Sequence, residues 1–332
     1  MSACVETMFS AGREKPWHYE MTKEHTKLVQ EALTSEDALH AAGLDWDVVQ
    51  KPVYMQKEIE TEDGGMKFTE VEIPNYKANV RDTDNSVLGI VTDRYKIVQN
   101  TEAFEFTDAL VGETDNGVVR YETAGSLCGG RKIWLLAKMP TQKVLDDEIE
   151  PYMFFANSHD GTGAIKVGMT PIRVVCNNTL NMAISSAKRA WSTKHVGDMN
   201  SKLEEAKMCL RMSDKYMKGL DEEADKLVNE KLYKEQFDKL LDELFPVDEN
   251  MTDRKKNNIE EIKSDIQVCY MMPDIIKFGE SKWRAINAMS DFMTHSAPKR
   301  NTSTFQENRW GKIMDGDMVF DRFVDLVKKV HA

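Results

Sequence analysis

KFTEVEIPNYKANVRDTDNSVLGIVT, residues 67–92, is the stretch whose reading decides the fold. Lys67 to Ile73 alternates polar and apolar side chains, the period of a half-buried strand, and Tyr76 to Arg81 repeats it. Arg81 to Ser86 is turn chemistry, and Val87 to Thr92 reads as the returning strand. Strands met in succession across short turns make an antiparallel meander, so the expected class is α+β, with a curved antiparallel sheet and helices packed on it.

Working back toward the N-terminus, residues 57–65 (KEIETEDGG) read as an exposed acidic hairpin loop, and Val48 to Met55 as a strand led in by Trp46. Thr34, Asp37 and Gly43 have the spacing of a short capped helix. Lys23 to Leu33 reads as another helix, and residues 1–21 as an irregular arm.

Working forward, Asn100 is placed to cap a helix from Thr101 to Val111, with Gly112 as its stop. Strands follow at 118–127 and 132–139 about Gly129-Gly130, then at 152–157 and 164–169 about the turn HDGTG. A helix is expected from Cys176 to about Lys188. From Asp198 charges of both signs become dense and apolar residues recur at helical spacing: one long helix, or two parted near Gly219, then helices at 232–245, 252–269, 281–295 and 319–330. The expected organisation is a sheet domain at 1–197, a mostly helical segment at 198–278, and C-terminal helices at 279–332 packing back on the sheet domain.

The formal charge is -12, with 41% hydrophobic and 30% charged residues. No apolar run approaches the ~18 residues of a membrane span. The first residues lack the basic-then-apolar order of a secretory signal. Five scattered cysteines with no CxxC pair favour reduced thiols over a disulfide framework or structural zinc. The expected location is the cytoplasm, that of a host cell if the chain is phage-encoded. The acidic balance argues against coating duplex DNA by global charge; a local basic strip suffices for nucleic acid, because charges beyond ~10 Å are screened.

One window has that character. From Gly161 to Gly197 there is no Asp or Glu, while Lys166, Arg173, Lys188, Arg189 and Lys194 fall inside it. A single-strand binder needs cations along a groove and flat side chains on which bases stack. Those five cations, with Trp191 for stacking and Asn177, Asn178 and His195 as hydrogen-bonding groups, are the candidate nucleic-acid-binding residues. Lys299, Arg300, Arg309 and Trp310 offer a second strip, and Arg94, Tyr95 and Lys96 flank the helix start. The plainer alternative is that the tryptophans are core and the cations solubilising.

Several stretches resemble the DUF932 family, also called phage/plasmid-like proteins: LGIVTDRYKIVQNTEAFEF (88–106), GSLCGGRKIWLLAKMP (125–140), NSHDGTGAIKVGMTPIRVVCNNTL (157–180), KHVGDM (194–199) and SKWRAINAMSDFMTH (281–295). The resemblance implies a phage or plasmid setting. Through a core similar to Rad52-related annealing proteins, it also implies strand annealing by a homo-oligomer.

Single-stranded DNA or RNA binding is therefore the leading expectation, with no cofactor and no membrane partner. A phage-encoded protein acting on a host defence factor is a second reading, carried by the methionine-rich helical segment. A metal- or Cys/His-dependent hydrolase is a third, should His159, Asp160, Cys176 and His195 converge. No phosphate-binding, dinucleotide-binding or serine-elbow motif occurs, so enzymatic activity is the lesser expectation.

Overall fold

The computed structural model describes residues 5–11, 26–31, 33–61, 64–111, 120–173, 190–210, 213–295 and 317–330. In chain order the elements are β1 (Val5–Ala11), β2 (Thr26–Val29), α1 (Ser35–Ala41), β3 (Val48–Glu60), β4 (Met66–Arg81), β5 (Val87–Thr92) and α2 (Asn100–Val111). Next come β6 (Arg120–Leu127), β7 (Lys132–Lys138), β8 (Gln142–Val144), β9 (Asp147–Ser158), β10 (Ile165–Arg173) and β11 (Ala190–Thr193). The helical part follows: α3 (Met199–Leu210), α4 (Ser213–Asn229), α5 (Lys234–Leu244), α6 (Asp253–Tyr270), α7 (Pro273–Ile276), α8 (Lys282–His295) and α9 (Met318–Lys329).

The strands form two sheets. The larger is open, in the order β11-β10-β9-β7-β6-β1-β2, with β8 paired to β9; the smaller is β3-β4-β5. Every pairing is antiparallel except β1 with β2. The class is α+β, as the alternation in 67–92 indicates. Three expectations for the strands and their turns change. Thr26–Val29, expected as helix, is a strand in register with Met8–Ala11. Val5–Ala11, expected as an irregular arm, lies inside the large sheet and pairs with β6. The acidic loop at 57–65 is far shorter than expected, because strand pairing runs out to Glu60 and Met66.

Residues at the centre of the large sheet are buried on both sides, so β7 (KIWLLAK) is nearly continuously apolar rather than alternating. One face of the sheet carries Ile133, Leu135, Met153, Phe155 and Val167 into the main core, where α2 sets Phe106 against Phe155 at 5.7 Å between ring centroids. The other face gathers Met8, Leu127, Trp134, Leu136, Tyr152 and Phe154 into a separate cluster. Gly125 sits under the Trp134 ring: a Cβ there would lie 2.7 Å from Cη2 and 2.4 Å from the Thr7 carbonyl oxygen. Only glycine lets β1, β6 and that indole meet.

The main core runs without a break into the helices, from Phe9 to Val327. Helix α8 is buried on nearly every side and packs against α4, α6, α7 and α9. A buried charge must be paired. Lys282 Nζ bonds to Glu230 and to the Lys328 carbonyl, and the Arg284 guanidinium lies 3.9 Å over the Tyr270 ring with Nε donating to the Tyr270 carbonyl. Ser213–Asn229 is a single helix that runs straight through Gly219, so the parting expected there does not occur. Among the described residues no helix is long and apolar enough to cross a membrane.

Candidate nucleic-acid interface

The small sheet is fastened to the large one at the β9–β10 turn, residues 158–163. Arg81 at the end of β4 makes a two-pronged bond to Glu6 at 2.9 and 2.8 Å, donates to the Gly129 carbonyl, and lies 4.7 Å over the Trp46 ring. Asn79 donates to the His159 carbonyl at 2.7 Å. Gly89 on β5 backs directly onto the turn, where an added Cβ would sit 2.5 Å from Asp160 Cα.

The turn is built from its own side chains. One Asp160 carboxylate oxygen accepts from Ser158 Oγ at 2.5 Å, Thr162 N at 2.8 Å and Thr162 Oγ1 at 2.7 Å. Half-burial pushes the Asp160 carboxyl up, but those hydrogen bonds outweigh it and hold the group below the ordinary carboxylate value. Gly161, at φ +78°, supplies the left-handed residue such a turn needs.

His159 is 0% exposed. Its Nε2 lies 3.0 Å from Asn100 Oδ1, while Asn100 Nδ2 donates to the Leu44 and Trp46 carbonyls. With the amide so oriented Oδ1 must accept, so the imidazole carries its proton on Nε2. Nδ1 has no hydrogen-bond partner among the described residues. Burial, with the neighbouring His195 adding to it, drives the His159 pKa down to about 3, and the ring is neutral. Asn100, expected as a helix cap, instead stitches the start of α2 to the 44–46 loop and to His159.

His195 is likewise buried. Its Nδ1 donates to the Lys96 carbonyl at 2.9 Å, and its own carbonyl accepts from Lys96 N at 2.8 Å. Tyr95 stacks on the ring and sends its hydroxyl to the Ser158 carbonyl at 2.6 Å. Burial lowers the His195 pKa as well. His159, Asp160 and His195 are therefore neighbours, tied together through Tyr95. Both histidines serve as struts, with their N–H groups spent on an amide and a carbonyl. Cys176 lies outside the described residues. Among those described, no three of His, Cys, Asp and Glu are grouped as a metal site requires.

What faces solvent here is basic. The Lys96–His195 link sets the segment of Arg94 and Lys96 beside the segment of Lys194, just past the edge strand β11, and all three side chains are exposed. Lys202, at the start of α3, turns back on the same corner and donates to the Lys194 and Val196 carbonyls. None of these four cations has an ion-pair partner among the described residues. The nearby acids are Asp93 and Asp198, both exposed, and the half-buried Asp160; Asp198 is engaged by Asn200 N and Ser201 Oγ, and Asp160 by Ser158 and Thr162.

Of the residues singled out from sequence, Lys166 is half-buried on β10 opposite Ser192, and Trp191 is half-buried opposite Val167, packed on the core. Arg173 ends β10. Lys194 is exposed and His195 is not. Asn177, Asn178, Lys188 and Arg189 lie outside the described residues, as do Lys299, Arg300, Arg309 and Trp310. Arg94, Lys96 and Lys202 complete the corner. The first two stood out in the sequence as a basic pair about a tyrosine, while nothing local in the sequence marked their approach to Lys194.

The fold and this edge define an open-sheet α+β protein with a basic corner on an acidic chain. The family model DUF932, a domain of unknown function, matches residues 87–312. That is more than half of the chain, and the chain belongs to this family. Comparisons with curated proteins and with solved structures returned no match.

Proposed function

We propose that the protein binds single-stranded nucleic acid along the β10–β11 edge, and that strand annealing in phage or plasmid recombination is the use of that binding. One observation carries the reading. On a chain of formal charge -12, the segments that carry Arg94, Lys96, Lys194 and Lys202 are joined at one corner, and the acid-free run that continues from it holds Lys166, Arg173, Lys188 and Arg189. Phosphates are drawn to such a strip whatever the base sequence, and the attraction weakens as salt rises. The half-buried indole of Trp191, on the edge strand, would offer a base the part of its face that the core leaves open. Asn177 and Asn178 would bond to the sugar or the backbone. The buried His195 would act indirectly, fixing Lys96 beside Lys194.

The test is fluorescence anisotropy of labelled single-stranded and duplex oligonucleotides across a salt series. The expected result is preference for the single strand and no need for metal or nucleotide.

A further inference from the structure

The distal half of the β3–β4 hairpin is a two-stranded ribbon that no other described element covers on either side. It runs from Tyr54 to Glu60 and from Met66 to Glu72; β5 pairs only with Tyr76–Val80, nearer the base. Between the two halves the register shifts at Pro52/Tyr54, and β4 passes through Pro74-Asn75, with Asn75 at φ 65°. Seven paired residues extend roughly 23 Å at ~3.3 Å each. An isolated two-stranded ribbon is marginally stable in water, yet this one leaves Phe68 59%, Tyr54 52%, Met55 51% and Ile59 45% exposed.

The pairing register sorts its charges. Met55 opposite Val71, Lys57 opposite Thr69 and Ile59 opposite Lys67 share one face, which carries two lysines and no acid. Tyr54 opposite Glu72, Gln56 opposite Glu70, Glu58 opposite Phe68 and Glu60 opposite Met66 share the other, which carries four glutamates and no cation. Hairpins ordinarily place opposite charges across from one another, and like charges crowded on one face repel. Here neither lysine nor any of the four glutamates has an ion-pair partner among the described residues. Each face lacks what the other holds: apolar side chains with lysines on one, apolar and aromatic side chains with glutamates on the other.

The geometry points to self-association through this ribbon, the lysine face of one copy seated on the glutamate face of the next. The two faces differ, so the contact is head-to-tail, and each copy keeps one free face for a further copy. A ribbon two strands wide offers on the order of 250 Å² per face, well under the ~800 Å² per partner of a stable dimer. The association is therefore weak, dependent on concentration and sensitive to salt. It is independent of the basic corner near Lys194.

Sedimentation velocity on the full chain tests it. Wild type should grow in mass from low micromolar to hundred-micromolar concentration, less so at high salt. Lys57→Glu/Lys67→Glu makes both faces acidic, and Glu58→Lys/Glu60→Lys/Glu70→Lys/Glu72→Lys makes both basic. Each variant alone should associate at least ~10-fold more weakly, and an equal mixture should regain assembly, because each then supplies the face the other lost. Circular dichroism and urea midpoints establish that each variant folds; if either does not, Lys57→Gln/Lys67→Gln should still weaken association. Wild type that stays monomeric, single variants that assemble like wild type, or a folded mixture that fails to assemble would each overturn the inference. So would loss of oligonucleotide binding in Lys57→Glu/Lys67→Glu with assembly intact, which would make the lysine face a polyanion surface.

Discussion

Tyr95 and His195 lie face to face, ring centroids 4.5 Å apart and planes 14° from parallel, although they come from segments far apart in the sequence. That stack, with the His195 bonds to Lys96, is what makes one corner of Arg94, Lys96 and Lys194. The buried polar cluster behind it is the scaffold on which the surface depends, and disturbing it should be felt in both stability and binding.

Acid is the first disturbance. His159 is held down to about 3 and His195 is also lowered, against an ordinary value of 6.5. The unfolded chain thus takes up protons below 6.5 that the folded chain refuses. Stability is complete above that value and falls as the pH drops toward 3. Between about pH 7.5 and about pH 5, His159 alone should cost on the order of 2 kcal/mol. Urea midpoints at the two pH values check this, and an unchanged or higher midpoint in acid would contradict it.

Asn100→Ala removes the acceptor for His159 Nε2 and the donor to two loop carbonyls, all buried. Groups left unpaired in the interior cost ~1–3 kcal/mol each, and part of that should be recovered by local rearrangement. A loss of roughly 2–4 kcal/mol is expected, read from chemical denaturation at neutral pH. Were Asn100 merely a helix cap, the loss would be nearer ~1 kcal/mol.

Gly89→Ala places a methyl group 2.5 Å from Asp160 Cα, with backbone on both sides of the clash. Neither partner is a flexible side chain, so the small sheet and the turn must part. Overpacking of this kind costs ~1–3 kcal/mol or more. By contrast Gly64→Ala meets no described atom within 4 Å, and its strain comes from the left-handed φ of +80°. Thermal unfolding of the two variants should rank Gly89→Ala clearly lower.

Much of the fold was legible because its signals are local. The alternation in 67–92 and the turns at Gly129-Gly130 and HDGTG each declare themselves within a few residues, and the strands fell where those signals put them. The errors came where distant partners decide. Lys23–Leu33 has helix-forming composition, yet Thr26–Val29 is a strand because β1 lies alongside it. Val5–Ala11 is too short to announce a strand and is made one by β6. Asn100 has the residue type and position of a cap, while its amide is drawn off by His159 and the 44–46 loop. The candidate site divides in the same way. The missing carboxylates between Gly161 and Gly197 can be counted in the sequence, but the approach of Lys96 to Lys194 rests on a backbone contact no local pattern encodes. The sorting of charge on the β3–β4 ribbon required the register.

The most direct measurement is the salt dependence of oligonucleotide affinity for wild type and for Lys96→Ala/Lys194→Ala. The account predicts that the double variant, folded and with an unchanged urea midpoint, binds a single-stranded oligonucleotide more weakly by about 2–4 kcal/mol at low salt. Its slope of log affinity against log salt should be flatter by roughly 1–2. Wild-type and variant lines that coincide, or a wild type with no measurable affinity at low salt, would contradict the claim that this corner is a nucleic-acid surface.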